Sequence, residues 1–340
     1  MMLTADQKSA AALITLGVIT AMSLYIALSF GAAREFSIAS FFSGSQFERD
    51  ILIDIRLPRV LFALCCGAGL ALTGVLAQCL FRNPLAEPYL MGTSAGAMLF
   101  AIVAIFAAGR MGINFHAGPF QGIGPALFSF AGAALACGIV LRLGHTTGGQ
   151  VHFVLLAGIA INALASSFSG IFIFLANDRE LRDITFWNLG SYGAATYPAV
   201  AMAAGVALVA GTAAFIMRRR LDALLLGEQV AFDLGVKVKR DRRIIFLLIV
   251  LCQGVLVSLT GMIMFISLVA PHLTRMLVGA SHRYLIPGSV FLGAIISLVA
   301  DTIARRVADP AEIPLGVLTG LIGAPFFLYM LMQHKSRSAV

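Results

Sequence analysis

Apolar residues along this chain come in long unbroken runs, not at the 3.6- or 2-residue spacing of half-buried soluble elements. A helix that crosses a bilayer needs ~20 apolar residues. Ten runs meet that length: roughly 10–33, 60–81, 89–108, 122–142, 151–175, 194–217, 244–260, 262–279, 285–304 and 314–333. The seventh and eighth divide at Thr260-Gly261. The first run exceeds the ~7–15 apolar residues of a signal-peptide core and reads as a transmembrane helix. The pattern predicts an all-α, polytopic membrane protein, a single transmembrane domain over residues 1–340. The longest polar stretches, roughly 34–59 and 218–243, are too short to bury a core of their own and read as functional loops.

Composition agrees: 59% of residues are hydrophobic and 12% charged, and the mean hydropathy is +0.94. Charge adds the orientation. Lysine and arginine stay on the cytoplasmic side near span ends. With the N-terminus inside, most of the 24 basic residues, among them Arg82, Arg218 to Arg220 and Lys237 to Arg243, fall in cytoplasmic segments. An even span count puts both termini in the cytoplasm. The net charge of +8 is then a topology signal whose counter-charge is membrane lipid, and it calls for no nucleic acid.

The chemistry that is missing narrows the function. All five cysteines lie in apolar runs, where cysteine acts as a small hydrophobe, and neither a disulfide framework nor a metal site follows. No phosphate-binding G-x-x-x-x-G-K-[ST], H-E-x-x-H or G-x-S-x-G sequence is present, so no catalytic residue is assigned. His116 reads as a solvated outer-loop residue or a stray iron contact. Acids are absent from span centres, with Asp301 the deepest and close to an end. Ion-coupled carriers place their coupling groups there, so a carrier lacking them draws energy from a partner. In-span polar residues are few (Gln78, Asn162, Ser166, Ser167, Gln253) and serve as interhelical glue or line a path.

The loop MRRRLDALLLGEQVAFDLGVKVKRDRR, Met217 to Arg243, holds Leu221, Leu224 and Leu225 at helical spacing. Gly227 is a break, and Val230, Ala231 and Leu234 form a second short apolar face before Gly235. Two amphipathic helices here make either a protein-docking knob or a lipid-surface pair.

Several sequences resemble, in one order, the permease subunits of the ATP-driven importers for cobalamin, iron-siderophore complexes and haem. They are IRLPR (Ile55 to Arg59), Gly67 to Gln78, RNPLAEP (Arg82 to Pro88), LGEQVAFDLGV (Leu226 to Val236), PHLTR (Pro271 to Arg275), HRYLIPGS (His282 to Ser289), ADTIAR (Ala300 to Arg305) and EIPLGVLTGLIGAPFF (Glu312 to Phe327). The resemblance runs from about residue 50 to 333. It implies ten helices per subunit, a homodimer, two cytoplasmic ATPase subunits that carry ATP and magnesium, and a periplasmic substrate-binding protein, all at the bacterial inner membrane. No cofactor belongs to this chain. The resemblance makes the 218–243 loop the coupling loop, with Leu226, Gly227, Glu228, Asp233, Leu234 and Gly235 at the ATPase. Arg56, Arg59 and Arg305 take the outer rim as docking residues for the binding protein, against a snorkelling alternative that suits Arg306.

RNPLAEP reads as a cytoplasmic turn, since Pro84 and Pro88 stop helix continuation and Asn83 favours a turn. The resemblance places Asn83 and Leu85 at the inner gate, with a tight turn without gate function as the alternative; the in-span polar residues Asn162 and Ser166 and the outer-half Phe168 and Phe172 are the further path candidates, the phenylalanines facing lipid in the alternative. The TFWNLGS segment, Thr185 to Ser191, is most like the haem-uptake members. Haem is therefore the first expected cargo, with a ferric siderophore second and cobalamin third. Outside this family, the competing readings are an ion-coupled secondary transporter and an intramembrane enzyme.

Overall fold

A computed structural model describes residues 5–30, 45–113, 124–146, 151–307 and 311–337; His116 lies outside them. Every regular element among the described residues is helical. In chain order these are α1 (Ala5–Ser29), α2 (Gln46–Leu80), α3 (Thr93–Met111), α4 (Gly124–Thr146), α5 (Val151–Leu175), α6 (Asp178–Leu189), α7 (Tyr197–Ile216), α8 (Arg218–Leu225), α9 (Glu228–Asp233), α10 (Val238–Thr260), α11 (Ile266–Val278), α12 (His282–Val307) and α13 (Leu315–Arg337). Among the described residues, eight helices are long and apolar enough to cross a membrane, and Ile266–Val278 and Leu315–Leu328 are shorter apolar helices. A single 3-10 turn, Pro88–Met91, precedes α3.

Three expectations change. Residues 45–59 are not a loop: Ser45 caps the chain with a reciprocal bond to Glu48, and helix runs through a π-helical turn, Ile51–Arg56, directly into the span. The turn sits where Asp54 and Arg56 interrupt the apolar pattern, which hides it from a reading by hydropathy. Secondly, Asp178–Leu189 adds an amphipathic helix between spans, capped by Asn177. Thirdly, the run 262–279 is helical only from Ile266. Its 13 residues rise about 20 Å at ~1.5 Å each, less than the ~30 Å of a hydrocarbon core. Residues 261–265 are irregular.

Helix α2 forms the centre. Of its most apolar stretch 83% is buried, against 11% for α1 and 17% for α5 and α7, so those three lie at the rim. Small residues permit the central crossings. A Cβ on Gly67 of α2 would collide with the carbonyl of Gly293 in α12, and one on Gly293 with that of Gly67. Gly74 likewise leaves room for the Ser267 carbonyl of α11. With lipid offering no hydrophobic drive between helices, such close backbone approach is what holds a bundle. Across the same centre Thr73 donates to Gln253 Oε1 at 3.0 Å and Tyr192 pairs with Ser297 at 2.6 Å, so Gln253 acts as interhelical glue.

Candidate functional site

The 218–243 loop folds as two short helices separated at Gly227, whose φ of +117° suits glycine alone. Leu221 and Leu224 turn inward and are buried, as is Ala231. The outward side is apolar too: Leu226 is 67% exposed, Phe232 69% and Leu234 63%. Gly235 ends the knob at φ +80°, and Asp233 accepts from Gln229 at 3.1 Å. Asp222 fastens the knob to the bundle, taking bonds from the His282 backbone N–H at 2.9 Å and ring Nδ1 at 2.7 Å. Burial pushes the Asp222 carboxyl up, but the His282 bonds outweigh it and leave it below the ordinary value. A rigid base with an exposed apolar crown is a protein-docking shape.

Glu228 opens α9 and stands between two arginines: Arg242 of α10 at 2.7 Å and Arg82 of the RNPLAEP turn at 3.6 Å. The turn itself is tight. Asn83 Oδ1 accepts from the Leu85 N–H at 2.9 Å, and Ala86 N–H donates to the Asn83 carbonyl at 3.1 Å. Asn83 is exposed and Leu85 half-buried.

Beyond Leu85 the chain folds back into the bundle. Glu87 Oε1 accepts from the Phe265 N–H at 3.2 Å and Ser267 Oγ at 3.1 Å, capping α11 at the end where a helix dipole favours an anion. Ser267 abuts Gly74, about 9 Å inside the end of α2 at ~1.5 Å per residue. An acid therefore does lie within the bundle, in the turn between two spans and not in a span itself. Hydropathy missed it because Glu87 stands between two apolar runs; the acid-proline pair was the available signal. Both deep acids are engaged, Glu87 by a helix cap and Asp301 by two arginines, which leaves neither set up as an ion-coupling group.

At the opposite end of α2 the three arginines expected to dock a binding protein are placed unequally. Arg59 donates to Asp301 at 2.9 Å and to Glu312 at 2.7 Å, and its bond holds the Glu312 carboxyl below the ordinary range. Arg56 and Arg305 are each only 4% exposed. Arg56 donates to the Leu28 and Ser29 carbonyls, and Arg305 to those of Ala27 and Phe30 and to Asp301 at 3.0 Å. Both thus satisfy the open carbonyls at the end of α1. Of the three arginines expected at the outer rim, Arg56 and Arg305 are thus turned into the fold, while Arg59, itself largely covered, pairs with the exposed Glu312. Arg306 lies over the Phe30 ring at 4.7 Å.

The path residues on α5 also divide. Asn162 donates to the Tyr89 carbonyl at 3.2 Å and Phe172 packs edge-on against Phe106, both towards the bundle. Ser166 and Phe168 face outward, among Leu164, Ile171 and Phe174. The described residues contain no cluster of three or more His, Cys, Asp or Glu able to hold a metal.

The comparisons agree on one family. The family model described as the FecCD transport family matches residues 18–333. The hemin transport system permease protein HmuU of Yersinia pestis is 38% identical over 292 residues, 84% of each chain. The vitamin B12 import system permease protein BtuC of Vibrio vulnificus is 35% identical over 94% of each. The iron(3+)-hydroxamate import permease FhuB of Bacillus subtilis is 36% identical over 92% of this chain and 81% of its own. A solved metal-chelate type ABC transporter in an inward-facing conformation superposes with a TM-score of 0.84 at 29% identity, over 94% of this chain and 98% of that one. A multi-pass helical membrane protein, matched along nearly its whole length, this chain belongs to the FecCD transport family of type II ABC importer permeases.

Proposed function

We propose that the chain is the translocating subunit of a homodimeric ABC importer for haem in the bacterial inner membrane. Two ATPase subunits power it and a periplasmic binding protein delivers the cargo. The observation that carries the ATPase partner is the exposed crown of Leu226, Phe232 and Leu234 on a base fixed by Asp222 and His282. The rim helix α5, with its outward Phe168 and Phe174, supports a second copy of the chain as the other wall of the path. Asn83 and Leu85 line the inner gate.

Haem is favoured over a ferric siderophore or cobalamin by the hemin permease among the relatives and by the TFWNLGS segment, whose Phe186 is exposed. A flat macrocycle slides past apolar and small polar walls, whereas a bare metal ion would lose its hydration without compensation. Arg59 and Glu312 contribute to docking at the outer face; Arg56 and Arg305 support them from behind.

Uptake into proteoliposomes loaded with ATP, with the ATPase and each loaded binding protein added, tests the cargo directly. Haem is expected to accumulate. Accumulation of ferric hydroxamate or cobalamin without haem would refute the cargo while leaving the importer reading intact.

A further inference from the structure

We propose that the 82–87 turn is a rigid strut joining the ATPase-docking knob to the irregular segment 261–265 inside the bundle, with Arg82 and Glu87 as positioning residues at its two ends. This rests on the importer reading, since an ATPase seated on the knob supplies the motion to be transmitted.

The strut is stiff for reasons internal to it. Arg82 N–H bonds to the Cys79 carbonyl at 3.2 Å and Asn83 N–H to that of Gln78 at 3.1 Å, which locks the turn onto the end of α2. The Asn83–Leu85 and Ala86–Asn83 bonds close its middle, and Pro84 and Pro88 fix their own φ angles.

Each end reaches a different moving part. Arg82 meets Glu228, the first residue of α9, while Arg242 at the base of α10 holds the same carboxylate oxygen from another side. At the far end Glu87 holds both Phe265 N–H and Ser267 Oγ, and the small polar pocket beside it is lined by Ser94, Gln253 and Met264.

Backbone strain falls at these ends. Arg82 (φ +48°) and Phe265 (φ +69°) are the positive-φ non-glycine residues among those described. Such a conformation is strained and persists only where its surroundings over-determine it. The Glu87 cap ties the Phe265 backbone N–H, while the Phe265 side chain rests against Gly323 of α13, so withdrawing the cap frees the backbone of the segment to relax. A shift of the knob relative to α10 pulls Arg82 and, through its bonds to Cys79 and Gln78, the end of α2, carries Asn83 and Leu85 with it, and draws Glu87 off the start of α11. One displacement thus moves the gate residues and releases the break.

Hydrogen exchange on the full complex with its ATPase, with and without ATP plus vanadate, reads this transmission without needing the cargo. Trapping is expected to raise exchange of amides 265–269 at least threefold in the wild type. In Arg82→Ala that response should vanish while the ATPase still co-purifies, and Arg82→Ala should add no further loss on a Glu228→Gln background. Glu87→Ala should show fast exchange at 265–269 without nucleotide, whereas Glu87→Gln, whose amide oxygen still accepts, should behave as wild type. A wild-type complex with no response at 265–269, or an Arg82→Ala complex with the full response, overturns the strut. Failure of the wild-type chain to bind any ATPase instead overturns the importer reading.

Discussion

Arg59 and Asp301 meet at 2.9 Å between α2 and α12, though 242 residues separate them in the chain. Asp301 is fully buried and also holds Arg305 at 3.0 Å. The carboxylate therefore ties α2, α12 and, through Arg305, the end of α1. Removing one member of a buried ionic group leaves its partners uncompensated, at a cost of about 3–5 kcal/mol. Asp301→Ala is expected to lower the thermal unfolding midpoint of the purified permease strongly, and an unchanged midpoint would contradict this role.

Arg56 and Arg305 should behave as parts of the fold. Arg56→Ala and Arg305→Ala are expected to lower the stability of the permease with no binding protein present. Arg59→Ala is expected also to slow association with the binding protein, since charged contacts at an interface act largely on the encounter rate. Full stability of the first two variants with weakened docking would restore the three-arginine reading.

The two sides of the knob separate by burial. Leu221→Ala opens a cavity in a fully buried position, which costs about 2–5 kcal/mol. Phe232→Ser and Leu234→Ser alter side chains already exposed and are expected to leave the unfolding midpoint unchanged while abolishing ATPase co-purification. Glu228→Arg sets a third positive charge between Arg82 and Arg242 and is expected to abolish ATP-driven uptake.

The Asp222–His282 link sets a pH response. Asp222 lies below its ordinary value in the folded chain, so its contribution is complete above the unfolded carboxylate value of ~3.9 and is lost as pH falls through the lower folded value. Hydrogen exchange over 218–236 is expected to show no carboxylate-linked loosening from pH 8 down to 5, and Asp222→Ala to loosen the same segment throughout that range.

Gly293→Val drives a side chain into the Gly67 carbonyl. Overpacking costs at least about 1–3 kcal/mol, and backbone cannot step aside as a flexible side chain does. Loss of folded protein is the expected outcome in a detergent-solubilised thermal assay, whereas Gly205→Ala, in open space on α7, should be neutral.

The apolar runs, the family sequences and the amphipathic spacing of the knob were all legible along the chain, because each is a local property: the length of a hydrophobic stretch, a run of neighbouring residues, a 3.6-residue period. Lipid demands that backbone groups be satisfied within each helix, so helices follow from composition without knowledge of their neighbours. The tertiary structure alone decided which charges stay exposed. Arg56, Arg59 and Arg305 look equivalent as arginines at helix ends, yet two are consumed by carbonyls of α1 and the third by Asp301 and Glu312. Glu87 reads as part of a polar turn until Phe265, 178 residues later, brings it a helix terminus to cap. Burial and pairing of a charge depend on what the fold packs against it, and those partners lie hundreds of residues away in sequence.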